Sequence, residues 1–222
     1  MTAPDFAPRP QLAEDVARYV RRRIFDGTYA AGQYIRLDQL ASDLGVSVTP
    51  VREALFVLSA EGLLSQQPRR GFVVVPVTGR DLTDVSNVQA HIGGELAARA
   101  AVNITDDQLR GLEKIQTELE EAYADDDGER AVRLNHEFHK AINVAADSPK
   151  LAQLMSQITR YAPESVFPTI AGWPDQSSEG HRKLLAALEK HDENLARTAM
   201  SEHLAAGAAP LIEHLTQRGV VS

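Results

Sequence analysis

The sequence predicts a mainly α chain in two parts: a small helical domain closed by a β-hairpin over residues 1–78, then an all-α antiparallel helical bundle over residues 79–222. Three observations predict it. Apolar residues recur at steps of three and four through most of the chain, the period of an amphipathic helix. Two β-like runs, Leu63 to Gln66 and Phe72 to Val77, sit together around a turn, and the pattern from Gly79 onward is helical to the end. The charge divides at the same place. Residues 1–78 hold nine arginines, no lysine and eight acids, a balance of +1, whereas residues 79–222 hold 14 basic and 23 acidic side chains, a balance of −9. All seven histidines lie at or beyond His91.

In chain order, Leu12, Val16, Tyr19, Val20 and Ile24 mark a first helix that closes near Gly27, with Arg18, Arg21, Arg22 and Arg23 on its outer surface. A short helix from about Leu37 to Leu44 stops at Gly45. The next begins within a few residues: Ser47 or Thr49 can cap it, and Pro50 falls in its first turn, where a missing N–H costs nothing. Val51, Ala54, Leu55 and Leu58 are its inner stripe and Gly62 its stop. The hairpin follows, with Gln67-Pro68-Arg69-Arg70-Gly71 as a basic tip.

Beyond the boundary at Pro76 to Arg80, about six helical segments are expected. Leu82, Val85, Val88, Ile92 and Leu96 mark the first, and Thr105 with Gln108 forms a capping box opening the second. Leu134, Phe138, Ile142 and Ala145 mark the third, and Ser148-Pro149 restarts the chain into Leu151, Leu154, Met155 and Ile158. A loop around Gly172-Trp173-Pro174 precedes His181, Leu184, Leu185 and Leu188. The last helix starts near Asp192 and runs through Leu195, Ala199, His203 and Leu211, kinked or frayed at Pro210.

Composition excludes several classes. With 222 residues and 43% hydrophobic side chains the chain can build real cores, and with no cysteine it has neither disulfides nor thiolate chemistry. No stretch approaches the roughly 20 apolar residues that span a bilayer, and Met1 to Pro10 lacks a secretory pattern. A soluble cytoplasmic protein with no membrane partner is expected. A net charge of −8 argues against polyanion binding over the whole surface. A local basic face still works, because electrostatic reach is only about 10 Å at 0.1 M salt.

The run Leu40-Ala41-Ser42-Asp43-Leu44-Gly45-Val46-Ser47 packs two helices around a glycine turn, as in a helix–turn–helix. With Val48-Thr49-Pro50-Val51-Arg52-Glu53-Ala54-Leu55, Glu61-Gly62-Leu63-Leu64 and Arg70-Gly71 in order, it resembles the winged helix–turn–helix of GntR-family transcriptional regulators. The chemistry agrees. A first helical turn carrying Ser47, Thr49, Pro50 and Arg52 offers a hydroxyl, free N–H groups and a guanidinium to a major groove. Arg69, Arg70 and Gly71 would reach the adjacent minor groove. The bland alternative is a solvated arginine cluster on an ordinary helical domain. Val48 and Asp38 stand where many relatives are basic.

Asn135 and His139 share one helical face, while His181 and His203 lie on or beside inward faces of two other helices. Spacing alone leaves two readings open: buried, hydrogen-bonded histidines, or imidazoles converging on a Zn²⁺ or Ni²⁺ ion. Asn135-His136-Glu137-Phe138-His139, Glu179-Gly180-His181 and Ser201-Glu202-His203-Leu204 resemble the metal-binding motifs of the FCD effector domain in the FadR subfamily of GntR regulators. The resemblance implies Asn135, His139, His181 and His203 as ligands to a divalent transition metal, Zn or Ni. His91, His136, His191 and His214 match no ligand position and read as surface or structural. Asn135 replaces the aspartate of many relatives, Gln89 an arginine and Gly93 a glutamate. An effector would therefore contact Gln89, with Arg99, Arg133 or Arg160 as substitutes for the missing cation.

The expected function is a ligand-responsive transcriptional regulator, a repressor rather than an enzyme. It would bind an inverted-repeat double-stranded DNA operator as a homodimer and take a small anionic metabolite, a carboxylate held at the metal. One alternative is a metal-dependent hydrolase, with Glu137 or Glu179 as the acid or base. Another is a bundle that only dimerises.

Overall fold

The computed structural model describes residues 10–161 and 164–221. The chain divides into two compact units, Met1–Thr78 with Leu215–Ser222, and Gly79–His214. The expected second part, 79–222, is thus shortened: the last turn of the final helix and the tail pack with the first unit. Leu215 and Val221 are buried there, and Val221 pairs in parallel with Val77.

In the first unit, α1 (Pro10–Phe25) lies against α3 (Val48–Ala60). Val16, Val20 and Ile24 are buried as the period requires, joined by Ala13, Ala17 and Phe25, whereas Leu12 is exposed. Arg21 does not join the solvated arginines. Its guanidinium donates to both carboxylate oxygens of Glu61 at 2.8 Å, and the two side chains are only 11% and 12% exposed. The pair ties α1 to the end of α3.

Helix α2 (Leu37–Leu44) ends at Gly45, whose φ of 65° is the left-handed turn expected of it. Val51, Ala54, Leu55 and Leu58 form the buried stripe of α3. The hairpin is β2 (Leu64–Gln67) with β3 (Gly71–Val74), antiparallel, pairing Leu64 with Val74 and Gln67 with Gly71. A strand not expected from the sequence, β1 (Tyr34–Ile35), pairs with the other edge of β3, giving the order β1-β3-β2. Two residues carry no periodicity, so nothing in the pattern announces β1.

The second unit contains α4 (Gly79–Asn103), α5 (Asp106–Ala124), α6 (Gly128–Ala145), α7 (Pro149–Ile158), α8 (Trp173–Glu189), α9 (Glu193–Ala206) and α10 (Ala208–Gln217), which runs on into the first unit. Thr105 and Gln108 make the capping box in both directions. Asp192 caps α9 by accepting from the N–H groups of Asn194 and Leu195. The single last helix expected from Asp192 is two helices. The break falls at Gly207, and Pro210 sits in the first turn of α10, where its missing N–H is harmless.

The buried face of α4 also departs from expectation. Leu82 and Leu96 are buried but Val88 is 48% exposed, and the inner face is mostly small: Ala90, Gly93, Gly94, Ala97, Ala100 and Ala101. A Cβ on Gly93 would collide with Leu204, and one on Gly94 with Ser201. The two glycines let α9 approach α4 closely, and Ser201 Oγ donates to the Ala90 carbonyl at 2.9 Å across the gap. At position 93 the space beside the helix is taken by the Leu204 side chain. The loop expected around Gly172-Trp173-Pro174 holds two 3₁₀ turns, Thr159–Tyr161 and Glu164–Thr169, while Trp173 and Pro174 already belong to α8.

Candidate nucleic-acid interface and metal centre

In the first unit, α3 presents its N-terminal turn. Ser47 occupies the N-cap with extended backbone, φ −73° and ψ 159°, and its hydroxyl makes no capping bond. The first N–H groups of α3 are left for an outside acceptor, as an anion at a helix N-terminus requires. Ser47, Thr49 and Arg52 are exposed there, and Arg52 enters no hydrogen bond or ion pair among the described residues. Pro50, expected beside them, is buried with Val51 and belongs to the core.

At the hairpin tip Arg69 and Arg70 are exposed, Arg69 with a φ of 63°. The glycine at 71 answers a demand from inside the unit. Its φ is 95°, and a Cβ there would stand 2.8 Å from the Ile35 carbonyl oxygen, so β1 and β3 pair only because that atom is absent.

In the second unit, α6, α8 and α9 bring His139, His181 and His203 together, with one ring nitrogen from each lying within 4.8 Å of the others. Their neighbours fix the rings. His181 stacks on Phe138 with centroids 4.0 Å apart, and His139 stacks on His203 at 5.3 Å. Gly180 is the space His203 occupies: a Cβ there would stand 2.5 Å from His203 Nδ1.

Burial removes the charge from all three. It pushes His139 down to about 3, with His203 and His136 adding to the effect, and His203 down to about 4. His181 is lowered well below its ordinary value by burial, then by His203 and His139. At neutral pH each ring carries a lone pair, the form that ligates metal. His181 Nδ1 lies 2.7 Å from Gln116 Oε1, and His181 Nε2 is buried without a hydrogen-bond partner. Three neutral nitrogen donors, one of them orphaned, fit a borderline divalent ion such as Zn²⁺ or Ni²⁺.

His139 and His203 open onto a cavity of about 650 Å³, and Asn135 and Gln89 also line it. Gln89 is held by the Ile158 carbonyl, to which its Nε2 donates at 3.0 Å. The substitute arginines are elsewhere. Arg99 is exposed and donates to Ser148 Oγ at 2.7 Å, Arg133 is exposed, and neither these nor Arg160 lines the cavity. The lysine on the wall, Lys140, was not among the expected residues; its place one residue beyond His139 is the only hint of it. Glu137 and Glu179 are exposed and off the cavity wall. Glu179 is held below the usual carboxylate range by its hydrogen bond to Lys183. His191 is structural, with Nδ1 2.8 Å from the Ala101 carbonyl oxygen.

Residues 12–74 match the family of bacterial regulatory proteins of the gntR type, and residues 84–206 match the FCD domain. This chain belongs to the GntR family and carries an FCD domain. It is similar to the HTH-type transcriptional regulator McbR of Escherichia coli strain K12, 27% identical over 86% of this chain and 88% of that protein. It is 28% identical to a probable D-xylose utilization operon transcriptional repressor of Paenarthrobacter nicotinovorans, over 89% of this chain and 88% of that one. The solved structure of E. coli McbR/YncC aligns with a TM-score of 0.73 at 27% identity, covering 91% of this chain and 98% of its own. The GntR regulator is therefore a DNA-binding transcriptional regulator and not an enzyme. FCD domains can bind metals, and the histidine cluster lies within the FCD segment. No described helix of the regulator is long and apolar enough to cross a membrane.

Proposed function

We propose that this regulator, of the FadR subfamily, is a cytoplasmic repressor that binds an inverted-repeat operator as a homodimer and responds to a small anionic metabolite held at a metal in the FCD bundle. The observation that carries the effector reading is the histidine triad at the wall of the cavity: neutral donors around an orphaned nitrogen beside room for a ligand. His139, His181 and His203 would hold Zn²⁺ or Ni²⁺, with Asn135 as the oxygen donor. The ion supplies a positive charge that fixes a carboxylate. Asn135 adds no negative charge, so the attraction for an anion is undiminished.

The rest of the wall supports one carboxylate on an apolar body. Among the described residues Lys140 is its only lysine or arginine, and Leu82, Val85, Met155, Phe167, Trp173 and Leu211 face the same space. With the metal taking the carboxylate, Lys140 is the one further cation on the described wall that could meet another anionic or polar group of the ligand. On the DNA side, the dimer would set two α3 helices into major grooves about one turn of duplex apart.

Two experiments test the reading. Metal analysis of protein purified without a histidine tag should find about one ion per chain, lost in the His139→Ala, His181→Ala variant; an ion-free wild type would leave the bundle to dimerisation alone. Selection of genomic fragments should return duplexes whose binding weakens steeply with salt. Failure to retain any fragment at low salt, with or without metal, would overturn the operator reading.

A further inference from the structure

His181 has no exposed surface, so both its ring nitrogens must find partners inside the protein. Which nitrogen carries the proton decides whether it can serve the cluster, because a protonated nitrogen has no lone pair to give. The neighbours on α5 and α8 settle that choice. Gln116, 4% exposed, turns its Nε2 toward Glu120 and donates to Oε1 at 2.8 Å. A carboxylate only accepts, so the amide nitrogen must face Glu120 and the amide oxygen must face His181. Arg182 Nη2 holds the other carboxylate oxygen of Glu120 at 2.8 Å and keeps it in place. The oxygen of Gln116 in turn only accepts, so the hydrogen of the 2.7 Å contact belongs to His181 Nδ1. With Nδ1 committed, Nε2 bears the lone pair, and it is this atom that lies buried without a partner.

We infer that Gln116 is a positioning residue for the metal centre: backed by Glu120 and Arg182, it locks His181 in the Nδ1–H tautomer and so presents Nε2 to the ion. The inference rests on the metal reading above. It names the partner that ligating histidines require behind them. Here that partner is a neutral amide where a carboxylate is common, so it orients the ring without adding negative charge. Gln116 and Asn135 thus act in the same direction, and the ion keeps its pull on an anion.

The test uses the full-length protein stripped with a chelator, with ¹⁵N-labelled histidine read by NMR at neutral pH. The His181 ring should show Nδ1 protonated before any metal is added. In Gln116→Leu that preference should disappear, and the Zn²⁺ dissociation constant, read by competition with a chromophoric chelator, should rise about 10- to 100-fold at unchanged helical content. Glu120→Leu leaves Gln116 in place but free to turn over. It should weaken Zn²⁺ binding less and keep the variant series readable if Gln116→Leu does not fold. A stripped wild type with the proton on Nε2, or a folded Gln116→Leu that binds Zn²⁺ as the wild type does, would overturn the inference. A wild type that ignores Zn²⁺ and Ni²⁺ would instead overturn the metal reading, and the two failures are distinct because the tautomer is read without metal.

Discussion

The tip of α3 with its hairpin and the histidine site of the bundle handle charge in opposite ways. Thr49, Arg52, Arg69 and Arg70 stand in water, and Arg52 is unengaged among the described residues. His139, His181 and His203 lie where burial has removed their charge. A surface that meets a polyanion works by carrying charge it can offer. An interior that holds a cation works by withholding charge, so that only lone pairs face inward. A helix end with a hairpin builds the one and three helices build the other, and what sets their charge is solvent.

The contrast is most sharply broken by acid. In the stripped protein each of the three histidines is neutral when folded and titrates at its ordinary value, about 6.5, when unfolded. The unfolded chain therefore takes up protons first, and the stability present above pH 6.5 is lost as pH falls toward 4. Each histidine contributes about 1.4 kcal/mol per pH unit in that window. Denaturant midpoints measured from pH 7 to 4.5 should fall steadily, and a flat profile would show that the rings are not held neutral. Next in size is Gly180→Val, which pushes a side chain into the His203 ring. It should destabilise the bundle by roughly 1–3 kcal/mol and abolish metal uptake; full zinc stoichiometry would separate Gly180 from the site.

On the exposed side, Arg52→Ala should weaken binding to a selected DNA fragment by about 1–3 kcal/mol with the circular dichroism spectrum unchanged. Wild-type affinity in fluorescence anisotropy would remove Arg52 from the interface. The smallest effect is expected for Arg70→Ala. Taking one phosphate-binding cation from the tip should lower the slope of log affinity against log salt by about 1, across sequences alike. An unchanged slope would place Arg70 away from the duplex.

The two regions also differed in how far the sequence could be read. The turn at Gly45, the stripe of α3 and the hairpin were legible because each has a local signature: a left-handed glycine, a 3.6-residue period, two apolar runs around a turn. Pro50 misled because a residue in the first turn can face either way, and here it faces the core. In the bundle the three histidines were legible through their motifs, but their support was not. Gln116 lies 65 positions from His181, and no spacing rule links an amide on α5 to a ring on α8. The inner face of α4 was misread because large apolar residues set the template, while close packing against α9 needs Ala90, Gly93 and Gly94. Arg99, Arg133 and Arg160 stand off the cavity wall, which was not legible because periodicity does not say which side of a helix borders a void.

The return of residues 215–222 to the first unit bears on how this chain can be cut. A fragment ending at Thr78 would lack Leu215, which is fully buried, and would leave Val77 without the backbone of Val221. Gly27 would also lose the neighbour that Val220 provides. Anyone dissecting the operator-reading module should splice the eight distal residues back onto it, since the piece that recognises duplex is discontinuous along the polypeptide.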